Sequence, residues 1–541
     1  MSKVIEIPVG KRTFRYRFFE ILPWLISVGI MVLLFVLSSW SPIAGSIFLL
    51  IIVIGSVVKA IGTMFRTIQG YKTVNASCAI DWRQRMVDLE NPQESYERLA
   101  HTKSKAYDHQ QHLKNLLNMA ASEDENAFPK PQDIYHAIII TMYTETLDIL
   151  EPTVESVLAS TFPKDRMILT IAYEERGGEQ AEKVAKALQK KYGKKFGYFL
   201  LSKHPDGLPN EVIGKGGNIT WAGKNLQKFV DEKGIKYSDV IVTTLDSDNR
   251  PHKVYFDQVA YEFVVHEERQ RMAFQPVSLF TNNIWDAPAV TRVVACTNSF
   301  WNLVCTMRPL DLRNFASHSQ PLEALVGMNF WSVRTIVEDG HQYWRSLFYF
   351  DGDYEVYPIR APIGQDAVLN DTLLKTLKAQ WVQLRRWDYG ASDVAYVADY
   401  MFSKRNKMHW DDIFLKFMRL LDGHVTLAST APIVLLGGWV PLLFNLESRN
   451  LLAHNLPTVV SYIQTFAMSL MLISIILSVK MLPPKPARYK NTKRASMILQ
   501  WIISPVIAVV YTSFCALYSQ TRLMLGLYME KFDVTEKVVK K

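Results

Sequence analysis

The feature that most limits how this chain can fold is a set of uncharged apolar windows, confined to the two ends of its 541 residues. A bilayer core about 30 Å thick needs roughly 20 apolar residues of helix to cross it. Residues 21–40 and 42–58 supply two such windows near the N-terminus, separated by Ser41 alone, and read as a helical hairpin. A cleaved leader is the rival reading of the first, but the run is long for one and the Ser-Ser-Trp-Ser-Pro after it is no small-x-small cleavage site, so a membrane span is the expectation. Residues 425–445, 456–479 and 496–520 supply three more after a long polar middle.

Basic residues orient these spans, since short loops rich in Lys and Arg stay on the cytoplasmic side. Lys11, Arg12, Arg15 and Arg17 precede the first window, and Lys480, Lys485, Arg488, Lys490, Lys493 and Arg494 follow the fourth. The expected protein is therefore an integral one of the plasma or inner membrane, with its N-terminus and middle domain cytoplasmic. Five simple crossings would leave the Lys-rich residues 521–541 outside, against the same rule. Pro505 offers a way out, a kinked or re-entrant last segment.

The net charge of +9 suits a protein held against anionic lipid. No basic block is interleaved with aromatics, so nucleic acid is not an expected partner. Cys78, Cys296, Cys305 and Cys515 are scattered without pairing or metal-ligand spacing, as reduced thiols would be.

The division that follows is a transmembrane hairpin over 1–66, a helical linker over 67–132, a catalytic domain over 133–400, an interfacial helix over 401–424, and a C-terminal transmembrane region with basic tail over 425–541. In the interfacial helix, Ile413, Phe414, Phe417, Met418 and Leu421 recur at helical spacing. Within the middle domain, β-branched runs at 135–141, 167–172, 196–201 and 240–245 alternate with helical patterns at 148–160, 179–191 and 219–231. Such alternation predicts an α/β fold with a mostly parallel sheet covered on both faces, and ligands at the carboxyl ends of its strands.

The chemistry-bearing residues fall at those ends. The run 240–245 leads into Asp246-Ser247-Asp248-Asn249. Alternate residues of extended chain point the same way, so Asp246 and Asp248 are expected to face one ligand. Two hard oxygen donors suit Mg²⁺ or Mn²⁺ on a diphosphate; alone, an Asp-rich turn is the ordinary reading. Glu338-Asp339 precedes the aromatic-rich 343–350, and Asp339 is the candidate to accept a proton from an incoming hydroxyl, with Glu338 beside it. An acidic first helical turn is the plain alternative. Gln383-Leu384-Arg385-Arg386-Trp387 closes a predicted helix beginning near Asp371; an Arg there can stabilise a leaving diphosphate, and a Trp face can pack on a sugar ring.

Taken in order between a hairpin and C-terminal spans, Asp-x-Asp, Glu-Asp and Gln-x-x-Arg-Trp make the chain resemble the processive family 2 glycosyltransferases, the cellulose, chitin and hyaluronan synthases. That resemblance implies a Rossmann-like glycosyltransferase-A domain. It also implies inverting transfer from a nucleotide-sugar, usually of uridine, to a growing glycan, or alternatively to a lipid phosphate or lipid-linked acceptor. It places Tyr143 and Glu145, in Thr141-Met-Tyr-Thr-Glu, beside the donor, with Glu174 or Glu175 toward the base. Lys215, in Lys215-Gly-Gly-Asn, falls near the diphosphate, where the glycines permit close backbone approach. Asp246 falls near the diphosphate or ribose, Asp248 on the metal, Asp339 as base, and Gln383, Arg386 and Trp387 on the acceptor side. The closing Phe532-Asp-Val-Thr-Glu-Lys resembles the family's cytoplasmic ending. A non-enzymatic scaffold or transporter is the rival class; transporter sites need broken or polar mid-membrane segments, which Pro505 alone suggests.

Overall fold

The computed structural model describes residues 4–102, 104, 106–124, 127–446 and 450–531. The Phe532-Asp-Val-Thr-Glu-Lys segment lies outside them. Among the described residues eight strands form one sheet: β1 (Tyr135–Met142), β2 (Met167–Glu174), β3 (Tyr198–His204), β4 (Val240–Leu245), β5 (Arg250–Pro251), β6 (Met272–Leu279), β7 (Ser319–Pro321) and β8 (Glu355–Gly364). Their order is β3-β2-β1-β4-β7-β6-β8-β5.

β1, β2, β3 and β4 pair in parallel. Alternate side chains of β1 enter different cores: Ile138, Ile140 and Met142 on one face, Ala137 and Ile139 on the other. Every one of these is at least 98% buried, each such large side chain contributing about 1.5–3 kcal/mol, which is why β1 reads as an unbroken apolar run. The expectation of a mostly parallel sheet needs correction at β7, which is antiparallel to both β4 and β6, while β8 returns parallel to β6. The sheet is mixed. β7 carries no apolar signature because it is three residues long, Ser-Gln-Pro, and is held by polar contacts such as Thr243 to Ser319, 2.6 Å between hydroxyl oxygens.

The linker over 67–132 is packing material for this sheet. Trp82, Met86, Leu89 and Leu116 join the same core as β1 and the helix Tyr255–Val265. The second apolar helix, Pro42–Cys78, runs through the expected boundary at 66 and brings Gly70 onto Leu303, where a Cβ would lie 2.7 Å from the Leu303 carbonyl oxygen. The interfacial helix expected over 401–424 is likewise one continuous helix with the third apolar span, Trp410–Leu436. Its Ile413, Phe417 and Leu421 are buried against Tyr343, Trp344 and Phe348 of the α/β domain, leaving only Phe414 and Met418 of the expected face exposed.

Among the described residues, five helices are long and apolar enough to cross a membrane: Phe14–Trp40, Pro42–Cys78, Trp410–Leu443, Leu451–Lys480 and Thr492–Leu525. The first four share a core remote from the sheet, built on Leu34, Leu49, Val53, Ile433, Leu456 and Val460. The fifth contributes no described residue to it. At its start, Trp285 Nε1 of the α/β domain donates to the Pro483 carbonyl at 3.0 Å, and Arg488 reaches Asp286 at 2.7 Å. At its end, Arg17 donates to the Leu523 and Met524 carbonyls, Tyr389 O–H accepts from Met529 N at 3.2 Å, and Ile213 N donates to the Glu530 carbonyl. Both ends therefore dock on the same α/β body. Between them the helix is broken at Pro505 and at the π-helical turn Ala508–Ser513, whose Ser513 donates to the Leu427 carbonyl of the third span.

In sealed vesicles, cysteines placed at Lys11 and Leu527 are expected to react with an impermeant maleimide from one side, and a cysteine at Trp40 from the other. Reaction of Leu527→Cys together with Trp40→Cys would show that the last segment crosses.

Candidate active site

Because β1 to β4 run parallel, their carboxyl ends lie along one edge of the sheet, and most of the candidate residues gather there. Glu145, just past β1, accepts from Tyr143 N at 2.6 Å and from Ser247 Oγ at 3.2 Å, tying the first loop to the Asp-Ser-Asp turn. Glu174, at the end of β2, is 6% exposed and pairs with Arg176, whose guanidinium lies 5.0 Å from the centre of the Tyr143 ring. Burial raises the Glu174 pKa, against the pull of Arg176. Of the two acidic residues left open here by the sequence, Glu175 faces outward onto Lys203 and the Asp206 amide, and Glu174 faces Tyr143 through Arg176.

After β4 the chain turns at once. Asn249 N donates to the Asp246 carbonyl at 3.1 Å, and Asn249 Oδ1, on a fully buried residue, accepts from Asp246 N at 2.7 Å and from Ser317 Oγ at 2.6 Å. This is a side-chain-closed turn, and strand alternation does not extend through it. Strand alternation therefore does not fix how Asp246 and Asp248 are directed. They take different partners. Asp248, 4% exposed, accepts from Asp366 N at 3.0 Å. Asp246 instead meets Lys215.

Lys215 opens the helix Lys215–Lys233, and the residue after it is glycine for a steric reason. A Cβ on Gly216 would lie 2.5 Å from the Ser332 carbonyl oxygen and 3.3 Å from Glu338 Cβ. Asn218 Nδ2 donates to the Ala172 carbonyl of β2 and Thr220 Oγ1 to the Trp331 carbonyl, so the helix start is pinned between the sheet and the loop that leads to Glu338. Lys215 Nζ then sits 2.9 Å from Asp246 Oδ1, 3.2 Å from both Asp339 oxygens and 3.9 Å from Glu338 Oε1. Burial alone would lower the Lys215 pKa, but Asp246, Asp339 and Glu338 together hold it above its ordinary value. Glu338 is 2% exposed, and its Oε2 is buried with no hydrogen-bond partner among the described residues. Burial first, and the charge of Asp339 second, raise the Glu338 pKa against the pull of Lys215.

The acceptor-side candidates lie on the helix Leu373–Asp388. Gln383 and Trp387, one turn apart, line a small recess together with Asp366, Asn298 and Phe280. The Trp387 ring is 6.0 Å from that of Phe280 and is 37% exposed. Arg386 stands between them in sequence and does not line the recess. The last apolar segment supports this helix from outside, with Tyr511, Cys515 and Ser519 donating in turn to the carbonyls of Leu377, Trp381 and Arg385. The Asp-Ser-Asp turn thus stands between two groups: Lys215, Glu338 and Asp339 through Asp246, and the Trp387 recess through Asp248 and Asp366.

Among the described residues no cluster of three or more His, Cys, Asp and Glu side chains is arranged to hold a metal ion. The carboxylates of the turn are Asp246 and Asp248 alone, a set that fits a hard dication taking its remaining ligands from phosphate and water. Sequence reasoning missed Asn249, Arg176 and Asp366. Only Asn249 left a trace, in the Asp-x-x-Asn spacing that side-chain-closed turns use.

No protein-family model matches this chain, and no curated protein matches it. Solved structures do overlap it. Mannosyltransferase PcManGT from Pyrobaculum calidifontis, in complex with GDP-Man and Mn²⁺, overlaps at TM-score 0.37 and 11% identity, over 84% of this chain and 99% of that one. S. aureus TarS overlaps at TM-score 0.31 and 10% identity, over 60% of this chain and 55% of that one. TarS 1-349 in complex with UDP overlaps at TM-score 0.33 and 11% identity, over 74% and 94%.

Lys215→Met leaves the buried Glu338 and its neighbours without their cation, a change that costs about 3–5 kcal/mol for a buried pair. The thermal midpoint should fall at pH 8 and recover as pH is lowered, because unpaired carboxylates bind protons more tightly in the folded chain than in the unfolded one. A midpoint equal to that of the parent at both pH values would contradict the ion cluster.

Proposed function

We propose that this chain is a metal-dependent membrane glycosyltransferase that inverts configuration as it moves a sugar from a nucleotide-sugar, a UDP-sugar being the favoured donor, to a growing glycan. The observation that carries this reading is the meeting of Asp246, at the end of β4, with Asp339 and Glu338, at the start of the helix Glu338–Tyr349, around one buried ammonium.

In this reading Asp339 takes the proton of the acceptor hydroxyl as its oxygen attacks the anomeric carbon. The bond from that carbon to the diphosphate oxygen breaks, and its electron pair leaves with the nucleoside diphosphate. Lys215 stabilises the charge that grows there. Asp246 and Asp248 are the residues that would hold Mg²⁺ or Mn²⁺, which when bound supplies further neutralisation of the diphosphate. Tyr143, Glu145 and Glu174 with Arg176 form the donor's base end, and Trp387 and Gln383 the acceptor recess. Glu338, buried beside Asp339, has its pKa raised by that burial and by the charge of Asp339. The α/β domain is assigned to the cytoplasmic side, and the last apolar segment is assigned as re-entrant, which returns residues 526–531 to that same side.

Membranes containing the protein should turn over at least one of a panel of radiolabelled nucleotide-sugars, and chelation should abolish it. Asp339→Asn should retain donor binding while transfer falls by about two to four orders of magnitude. Full transfer by Asp339→Asn would remove it from the role of base, and product size separates chain growth from single addition to a lipid-linked acceptor.

A further inference from the structure

The core beneath the Asp-Ser-Asp turn is polar where a sheet core is ordinarily hydrocarbon. His136 of β1, Thr243 of β4, Ser319 of β7 and Tyr255 of the helix Tyr255–Val265 are each fully buried, and their polar atoms form a column. His136 Nε2 lies 2.6 Å from Thr243 Oγ1, which lies 2.6 Å from Ser319 Oγ, which lies 3.0 Å from the Tyr255 hydroxyl. The Tyr255 O–H in turn donates to the Ser317 carbonyl at 3.5 Å. Burial holds His136 neutral, its pKa lowered to about 3. With its Nε2–H donating to Thr243, each hydroxyl of the column accepts once and donates once, and the column ends on Ser317.

Ser317 is where the column meets the turn. It is fully buried, and its φ of +70° is a left-handed conformation that favours glycine and strains a residue with a side chain. Its hydroxyl donates to Asn249 Oδ1 at 2.6 Å, and the same oxygen accepts from Asp246 N at 2.7 Å. Reversing the Asn249 amide would set its NH₂ against the Asp246 N–H, so Nδ2 is left facing Asp248, 3.5 Å from Oδ1. Asn249 thus touches both acidic residues of the turn, and Ser317 fixes which way it faces. Glycine at 317 would hold the same backbone without strain, but it would not orient Asn249. The Asp246 side chain, 34% exposed, opens the turn to solvent.

We propose that Ser317 is a positioning residue for the metal: through Asn249 it sets the orientation in which Asp246 and Asp248 meet a divalent cation on a diphosphate. The inference rests on the metal reading of this turn. Ser317 acts through Asn249 and not on the cation itself, so its hydroxyl governs how tightly Mg²⁺ or Mn²⁺ is held, while the fold keeps its stability without it.

The full chain, purified in detergent micelles with saturating UDP, is titrated with Mn²⁺, the free ion being read from its electron paramagnetic resonance signal, and the thermal midpoint is measured without metal. Ser317→Gly and Ser317→Ala should each hold Mn²⁺ about five- to tenfold more weakly than wild type, as loss of one hydrogen bond implies. The metal-free midpoint of Ser317→Gly should equal or exceed that of wild type, because glycine takes φ +70° without strain. Equal Mn²⁺ affinity in wild type and both variants would overturn the role and leave the metal reading standing. Wild type that holds no Mn²⁺ with UDP present would remove the metal reading and this role with it. Weaker binding in Ser317→Gly accompanied by a lower metal-free midpoint would make Ser317 a residue of the fold alone and refute the proposal. Should Ser317→Gly not fold, Ser317→Ala, which keeps the backbone strain and lacks only the hydroxyl, decides by the same titration.

Discussion

One ammonium group organises the candidate active site. Lys215 brings Asp246, Asp339 and Glu338 to a common point, although they come from the end of a strand and from a helix more than ninety positions further on. Burying carboxylates costs free energy unless a cation and hydrogen bonds compensate, and Glu338 has one buried oxygen with no partner among the described residues. The cluster therefore depends on the helix Lys215–Lys233 starting at one place. That place is fixed by the close approach of Gly216 to the Ser332 carbonyl and by the Asn218 bond to β2.

The loop before Glu338 is held from further away. Buried Arg345 donates to the Phe330 and Met328 carbonyls and is itself anchored by Glu6 at 2.6 Å. Ile5 and Ile7 add carbonyl contacts to Tyr396 and Arg334. Residues near the N-terminus thus run across the α/β domain before entering the first apolar helix. Residues 526–531 do the same after the last, beside Ile213 and Tyr389. Apolar helices and α/β domain are in this way one mechanical unit, with the segments flanking the first and last apolar helices both fastened to the α/β domain.

Much of this is legible in the sequence because burial on both faces leaves a plain signal. β4 reads at its observed bounds, 240–245, and Asp246 and Asp248 mark the turn after it. What is not legible rests on partners distant in sequence. Glu6 and Arg345 are 339 positions apart, and nothing local to either announces the pair. β7 is too short and polar to register. The last apolar window has the length and hydropathy of a crossing, yet those properties describe composition and not depth; the re-entrant reading rests on the contacts of Ser513 with Leu427 and of residues 523–531 with Arg17, Tyr389 and Ile213. Likewise the Asp-x-Asp pattern marks the turn but not the Asn249 side chain that closes it.

The proposed transfer requires a divalent cation joining this turn to a nucleotide diphosphate. The most direct measurement is electron–nuclear double resonance of Mn²⁺ added to the purified chain with UDP. A ³¹P coupling that requires UDP and disappears in Asp248→Asn is the predicted result. Mn²⁺ that shows no ³¹P coupling with UDP present, or the same coupling in Asp248→Asn, would contradict it.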